Sequence, residues 1–194
     1  MKKIYIHIGA HKTGSTAIQK MFFLNRRRIQ KQGFWYCKKS IFLFGHHLIA
    51  FAAKKRKHPK KNIRINFETE IQLLQDEIKK SKQQNIIISS EEFFTLDLEY
   101  IQKIRNIFHN YQVHIIAFLR RPDEMILSSY SQNIKSVWSK FTMTLEEALK
   151  DPGITSKDIN YHKSLNKWID VFGKRSVHLL FHEDGDSVKQ ICRF

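Results

Sequence analysis

Residues 2–16 decide the fold: Lys2-Lys3-Ile4-Tyr5-Ile6-His7-Ile8, then Gly9-Ala10-His11-Lys12-Thr13-Gly14-Ser15-Thr16. The first half is rich in Ile, alternates loosely and stops at a glycine, which is a strand pattern. The second half carries two glycines in the spacing G-x-x-x-x-G, the pattern of a phosphate-cradling loop between a strand and a helix. Gly9 and Gly14 permit the positive φ that turns successive amides inward, and the start of the next helix adds partial positive charge. Thr13, Ser15 and Thr16 add hydroxyl donors. A nucleoside triphosphatase places lysine directly after the second glycine. Here Ser15 stands there and the lysine comes earlier, at Lys12, so metal–triphosphate chemistry is poorly matched.

Working outward, residues 15–31 predict a helix. Phe67, Ile71, Leu74 and Ile78 fall at i, i+4, i+7 and i+11, which predicts another over about 66–84. Ile86-Ile87-Ile88 is a short, wholly apolar run, as expected of a parallel strand covered on both faces. A helix near 98–108, a buried strand over 113–119 and a helix opened by Pro122 and running to about 135 follow. Thr144 and Glu147 have capping-box spacing before a short helix. Tyr161, Leu165, Trp168, Ile169 and Phe172 form a last helical stripe, closed by Gly173 and followed by a strand at Val177–Phe181. Alternating strands and helices predict an α/β fold: a P-loop-like, three-layer arrangement with a mainly parallel sheet covered by helices. The length of 194 residues fits a single domain, 1–194, against a prior of about 150 residues per domain. In such sheets ligands lie beyond the carboxyl ends of the strands, here after Ile8, Ile88 and Leu119.

Composition narrows the partners. The net charge is +16, and residues 1–67 contain seventeen Lys or Arg and no Asp or Glu, while the remainder is close to neutral. Such a field attracts anions, and residues 54–61, Lys-Lys-Arg-Lys-His-Pro-Lys-Lys, read as an exposed basic loop. A hydrophobic fraction of 42% excludes a disordered chain. No apolar run approaches the ~18 residues of a membrane helix, and the first strand begins too early for a signal peptide. Cys37 and Cys192 stand far apart, so neither a disulfide framework nor a zinc site is expected, and a reducing, cytoplasmic setting is. His7 and His11 flank the loop without metal-ligand spacing, so no metal is expected.

At the third strand end Arg120 precedes Pro122, and Ser128 follows eight positions later, a guanidinium and a hydroxyl for a second phosphate. Together, Lys12-Thr13-Gly14-Ser15-Thr16 and Arg120…Ser128 resemble the two phosphate motifs of the sulfotransferase superfamily that uses 3′-phosphoadenosine 5′-phosphosulfate (PAPS). Gly45-His46-His47-Leu48, Ile88-Ser89-Ser90-Glu91 and Trp168…Phe172-Gly173 are similar to its bacterial carbohydrate-type branch. The resemblance implies PAPS as donor, with its 5′-phosphosulfate on His11, Lys12, Thr13, Gly14, Ser15 and Thr16 and its 3′-phosphate on Arg120 and Ser128. It implies a hydroxyl or amine acceptor, on a sugar or polysaccharide, and no metal. Cytosolic members add a basic, glycine-containing C-terminal segment on the 3′-phosphate. This chain stops at Phe194, which implies a C-terminally truncated form or a substitute contact such as the basic loop near Lys57.

In that chemistry Lys12 neutralises charge growing on the bridging oxygen and 5′-phosphate, and positioning supplies most of the catalysis. The acceptor needs a base. Glu91 is the first candidate, with Glu92 pointing away, and His47 or His46 could contact acceptor or take the proton. Phe34, Trp35 and Tyr36 read better as core than as a stacking surface. Two other readings stay open: a P-loop nucleotide kinase or phosphotransferase, and a non-enzymatic binder of nucleic acid or acidic polymer. No zinc, RNA-recognition or helix-turn-helix pattern supports base readout, so nucleic acid is not expected as a partner.

Overall fold

The computed structural model describes residues 1–135, 142–151 and 160–194. Five parallel strands form one sheet in the order β2-β3-β1-β4-β5: β1 (Lys3–His7), β2 (Phe34–Tyr36), β3 (Asn85–Ser89), β4 (Gln112–Leu119) and β5 (Val177–Phe181). Between them run α1 (Ser15–Leu24), α2 (Arg26–Lys31), α3 (His47–Ala53), α4 (Phe67–Lys80), α5 (Leu98–Ile107), α6 (Pro122–Lys135), α7 (Leu145–Lys150) and α8 (Tyr161–Phe172), with α9 (Ser187–Arg193) after β5.

Strand alternation divides the core. Ile4, Ile6, Ile86, Ile88, Val113, Ile115 and Ala117 pack with α3, α4, α5 and α8 on one face. Ile87, Ile116 and Phe118 point the other way, against Ile18 and Phe22 of α1, Ile29 of α2 and Ile191 of α9. The apolar strands are thus buried on both sides, as their composition requires. Each fully buried Ile or Phe contributes about 1.5–3 kcal/mol of hydrophobic stabilisation.

Three local features differ from the sequence reading. The helix expected over 15–31 is two. At Asn25 the backbone leaves the helical region (φ −100°, ψ 20°), and its side-chain amide donates to the Met21 carbonyl at 2.8 Å. The helix expected to reach residue 84 ends where Ser81 turns extended (φ −66°, ψ 135°). Phe34–Tyr36 is an edge strand rather than undifferentiated core.

The sheet order puts β3, β1 and β4 side by side, so their carboxyl ends form one rim. His7 pairs with Ser89 and with Ile116, and the rim is extended by Ser90 N–H to His7 O at 3.0 Å and Ala10 N–H to Phe118 O at 2.6 Å. The loops that follow β1, β3 and β4 start from this rim.

Candidate functional site

The loop after β1 is held in shape by its own residues. Gly9, Lys12 and Gly14 all have positive φ, at 77°, 62° and 85°. Glycine adopts that region freely, whereas a lysine does so only where its surroundings compel it. The Thr13 hydroxyl donates to the Ala10 carbonyl at 2.7 Å and Thr13 is fully buried, so its side chain shapes the loop instead of facing a ligand. Ser15 Oγ reaches the same carbonyl more loosely, at 3.4 Å. Gly14 is the N-cap of α1, and no side chain caps that first turn. Its amides and partial positive charge therefore remain available to an anion.

From behind, the loop rests on α9. Ser187 Oγ donates to the Thr13 carbonyl at 3.0 Å, and a Cβ on Gly14 would come within 3.1 Å of that same oxygen. Arg120, at the end of β4, closes the other side: one guanidinium nitrogen donates to the Lys12 carbonyl at 3.2 Å and the other to Glu124 at 2.9 Å. Its buried Nε has no hydrogen-bond partner among the described residues. Arg121 turns outward to Asp123. Burial, and then the charge of Arg120, push the Lys12 ammonium below its ordinary pKa.

A cavity of about 410 Å³ opens over this loop, lined by His11, Lys12, Gly14, Ser15, Thr16 and Glu91 together with Ser129, Gln132 and Asn133 of α6. The face of α6 turned to the cavity is thus 129, 132 and 133, the i, i+3, i+4 set. Ser128 is half-buried and is not among the lining residues. The hydroxyl that sequence spacing assigned to the site is replaced in the lining by its neighbour.

Glu91 stands in the 3₁₀ turn after β3. Buried Gln19, from α1, donates to its Oε2 at 2.5 Å, and His47 Nδ1 lies 3.9 Å from the same oxygen while contacting Ser90 Oγ at 2.8 Å. Among the described residues the polar contacts fall on Oε2, which leaves Oε1 for a group in the cavity. Gly45 makes the arrangement possible: a Cβ there would be 2.7 Å from His47 Nε2 and 2.8 Å from Gln19 Cδ. Burial lowers the His47 pKa against the opposing pull of Glu91 and Glu92, so the ring is neutral near neutral pH. Glu92 is engaged elsewhere, with Lys54 at 2.7 Å and Arg56 at 3.1 Å. Burial alone would raise its pKa, but the Lys54 hydrogen bond and these charges hold it below the usual carboxylate value.

His46 is not free to act as a base. Its Nδ1 accepts the Ser89 N–H at 3.0 Å and its Nε2 contacts the Cys37 carbonyl at 3.1 Å, which makes Nε2 the protonated nitrogen. The ring is fully buried, and burial drives its pKa down to about 3. It ties the β3 end to the segment after β2. Tyr36, stacked on Phe22 and edge-on to His46, is likewise core.

Solved structures share the fold of this chain. A sulfotransferase from Alicyclobacillus acidocaldarius superposes with a TM-score of 0.59 at 16% identity, over 95% of this chain and 74% of that one. A mouse sulfotransferase complexed with PAP superposes with a TM-score of 0.51 at 14% identity, over all of this chain and 56% of that one. No protein-family model and no curated protein matches the sequence. The chain has the sulfotransferase fold.

Proposed function

We propose that the chain transfers a sulfuryl group from PAPS to a hydroxyl or amine of a carbohydrate acceptor. One observation carries the reading: a glycine-flanked loop with Lys12 and an uncapped helix start lines the same cavity as the Glu91 carboxylate. The fold shared with a sulfotransferase complexed with PAP supports it, as does the lysine placed before the second glycine. The donor set fits a bisphosphorylated nucleotide. Lys12, the first amides of α1 and the hydroxyls of Ser15 and Thr16 are all hydrogen-bond donors at the cavity, with Arg120 beside them against the Lys12 carbonyl, and each bond to a charged group is worth about 1.5–3 kcal/mol.

When bound, the donor supplies an activated sulfuryl group on a phosphate leaving group. In this reading Lys12 and the α1 amides stabilise charge on the 5′ side, with His11 at the cavity wall. Arg120, with Ser128 or its cavity-lining neighbour Ser129, holds the 3′-phosphate. Glu91 Oε1 receives the acceptor proton while Gln19 keeps Oε2 in place, and neutral His47, anchored on Ser90, stands beside Oε2. No metal ligand is called for in these roles.

Calorimetric titration with PAP and with ATP plus magnesium tests the assignment, followed by transfer from PAPS to a panel of oligosaccharides. Tight binding of PAP and none of ATP–magnesium is expected. Binding of ATP–magnesium alone would overturn the reading in favour of phosphoryl transfer.

A further inference from the structure

The unbalanced charge of the N-terminal third is not used up by the candidate site. Five of its seventeen cations line the outer edge of the sheet, joined there by Lys80 and Lys82. Two hollows of about 650 and 550 Å³ meet along β2, and Gln30 and Trp35 line both. Arg26, Arg27, Arg28 and Lys38 line the larger; Lys39, Lys80 and Lys82 line the other. None of these seven cations makes an ion pair with the described residues.

The local acids are occupied. Glu77 accepts from Trp35 Nε1 at 2.9 Å and from the backbone amides of Lys38 and Lys39, both at 2.8 Å to one or other oxygen. Asp76 accepts from Gln72 at 2.7 Å. A row of unpaired arginines and lysines over two adjoining hollows suits a polymer with anionic groups at intervals, since arginine's planar fork matches carboxylate and sulfate.

The aromatic rings beside these hollows are covered. The Arg26 guanidinium lies 3.9 Å above the Phe23 ring, and the Lys38 ammonium 4.8 Å above that of Trp35. Single-stranded nucleic acid binders instead offer open rings on which bases stack. The edge therefore presents charge without a stacking platform. It also adjoins the candidate site: the Tyr36 hydroxyl donates to the Phe44 carbonyl at 2.7 Å, next to Gly45, where an added Cβ would meet Gln19 and His47.

We infer that the β2 edge of the sheet binds an acidic glycan, a polysaccharide already bearing carboxylate or sulfate groups; only its role as acceptor rests on the sulfuryl-transfer reading. The test is titration at fixed salt with hexagalacturonate, with its methyl ester and with the oligonucleotide dT10. Hexagalacturonate should bind more tightly than either control. Arg27→Glu/Arg28→Glu should weaken it about tenfold or more, whereas Lys60→Glu/Lys61→Glu, the same charge change in the basic loop, should weaken it much less. Arg27→Gln/Arg28→Gln, which introduces no new charge, should give an intermediate loss and guards against misfolding. A loss in the arginine pairs no greater than in the lysine pair, or dT10 binding as tightly as hexagalacturonate, overturns the inference. PAP titration of the same proteins reports on the donor site separately, so a failure there leaves the glycan result intact.

Discussion

A Cβ atom on Gly9 would stand 2.7 Å from Cβ of Glu91. The loop that carries Lys12 and the turn that carries Glu91 are therefore in direct backbone contact, at a residue whose φ of 77° independently favours glycine. Lys12 and Glu91 share one rim, so each can be altered chemically without separating the two elements.

Glu91→Gln keeps the shape and removes the proton acceptor. Turnover should fall about 10²–10⁴-fold while PAP affinity stays near wild type. Single-turnover transfer and PAP titration together check this. Unchanged turnover would move the base assignment to His47, because His46 has both ring nitrogens committed.

Lys12→Ala removes a partly buried cation from a loop whose shape is set by Gly9, Thr13 and Gly14. Transfer should drop by about 10²-fold or more, as when one transition-state donor is deleted, with little change in melting temperature. Turnover close to wild type in a folded variant would remove Lys12 from the mechanism.

Arg120→Ala should weaken PAP by about tenfold or more, the value of one charge-assisted hydrogen bond, and adenosine 5′-phosphosulfate less. The second ligand should still lose some affinity, since Arg120 also braces the Lys12 carbonyl. Equal losses for both ligands would leave Arg120 with the bracing role alone.

Gly45→Ala would bring a Cβ to 2.7 Å from His47 Nε2 and 2.8 Å from Gln19 Cδ, both on side chains that can shift. The fold should survive while the Gln19 hydrogen bond to Glu91 is disturbed. Expected is a fall in kcat with PAP affinity retained. A kcat equal to wild type would show that the Glu91 orientation does not matter to the rate.

Acid should destabilise the protein before its carboxylates titrate. Burial lowers the His7 pKa to about 4 and that of His46 to about 3, from an ordinary 6.5. The unfolded chain therefore takes up protons first. Their contribution to stability is fully present above pH 6.5 and is lost as pH falls towards 4, by up to about 1.4 kcal/mol per pH unit for each ring. Urea midpoints between pH 7.5 and 4.5 should follow this course, with a shallower slope in His46→Gln. A flat profile in the wild type would contradict it.

The apolar runs 86–88 and 113–119 and the stripe at Phe67, Ile71, Leu74 and Ile78 made the sheet and its covering helices readable from sequence, because burial on both faces leaves no polar alternation to misread. Less was readable in pieces too short for periodicity. Three residues of β2 cannot display a pattern, and the break at Asn25 depends on one side-chain bond to Met21. At the site, Lys12 and Glu91 carry chemical signatures. Gln19 carries none: it is an amide in a helix, meaningful only through a partner 72 positions away. Gln132 and Asn133 were hidden similarly, since the face α6 turns to the cavity follows from packing and not from the spacing to Arg120.

The hydrogen bond from Ser187 to the Thr13 carbonyl joins residues 174 positions apart. Synthesis at roughly 5–20 residues per second separates their appearance by about 9–35 s. During that interval β3 and β4 can form and dock beside β1, while the loop after β1 lacks its contact with α9. The pocket is begun early and finished late, so a nascent chain passes through a stage with most of its sheet assembled and its ligand loop still loose. An anion arriving then would meet a looser loop than the one that Ser187 braces.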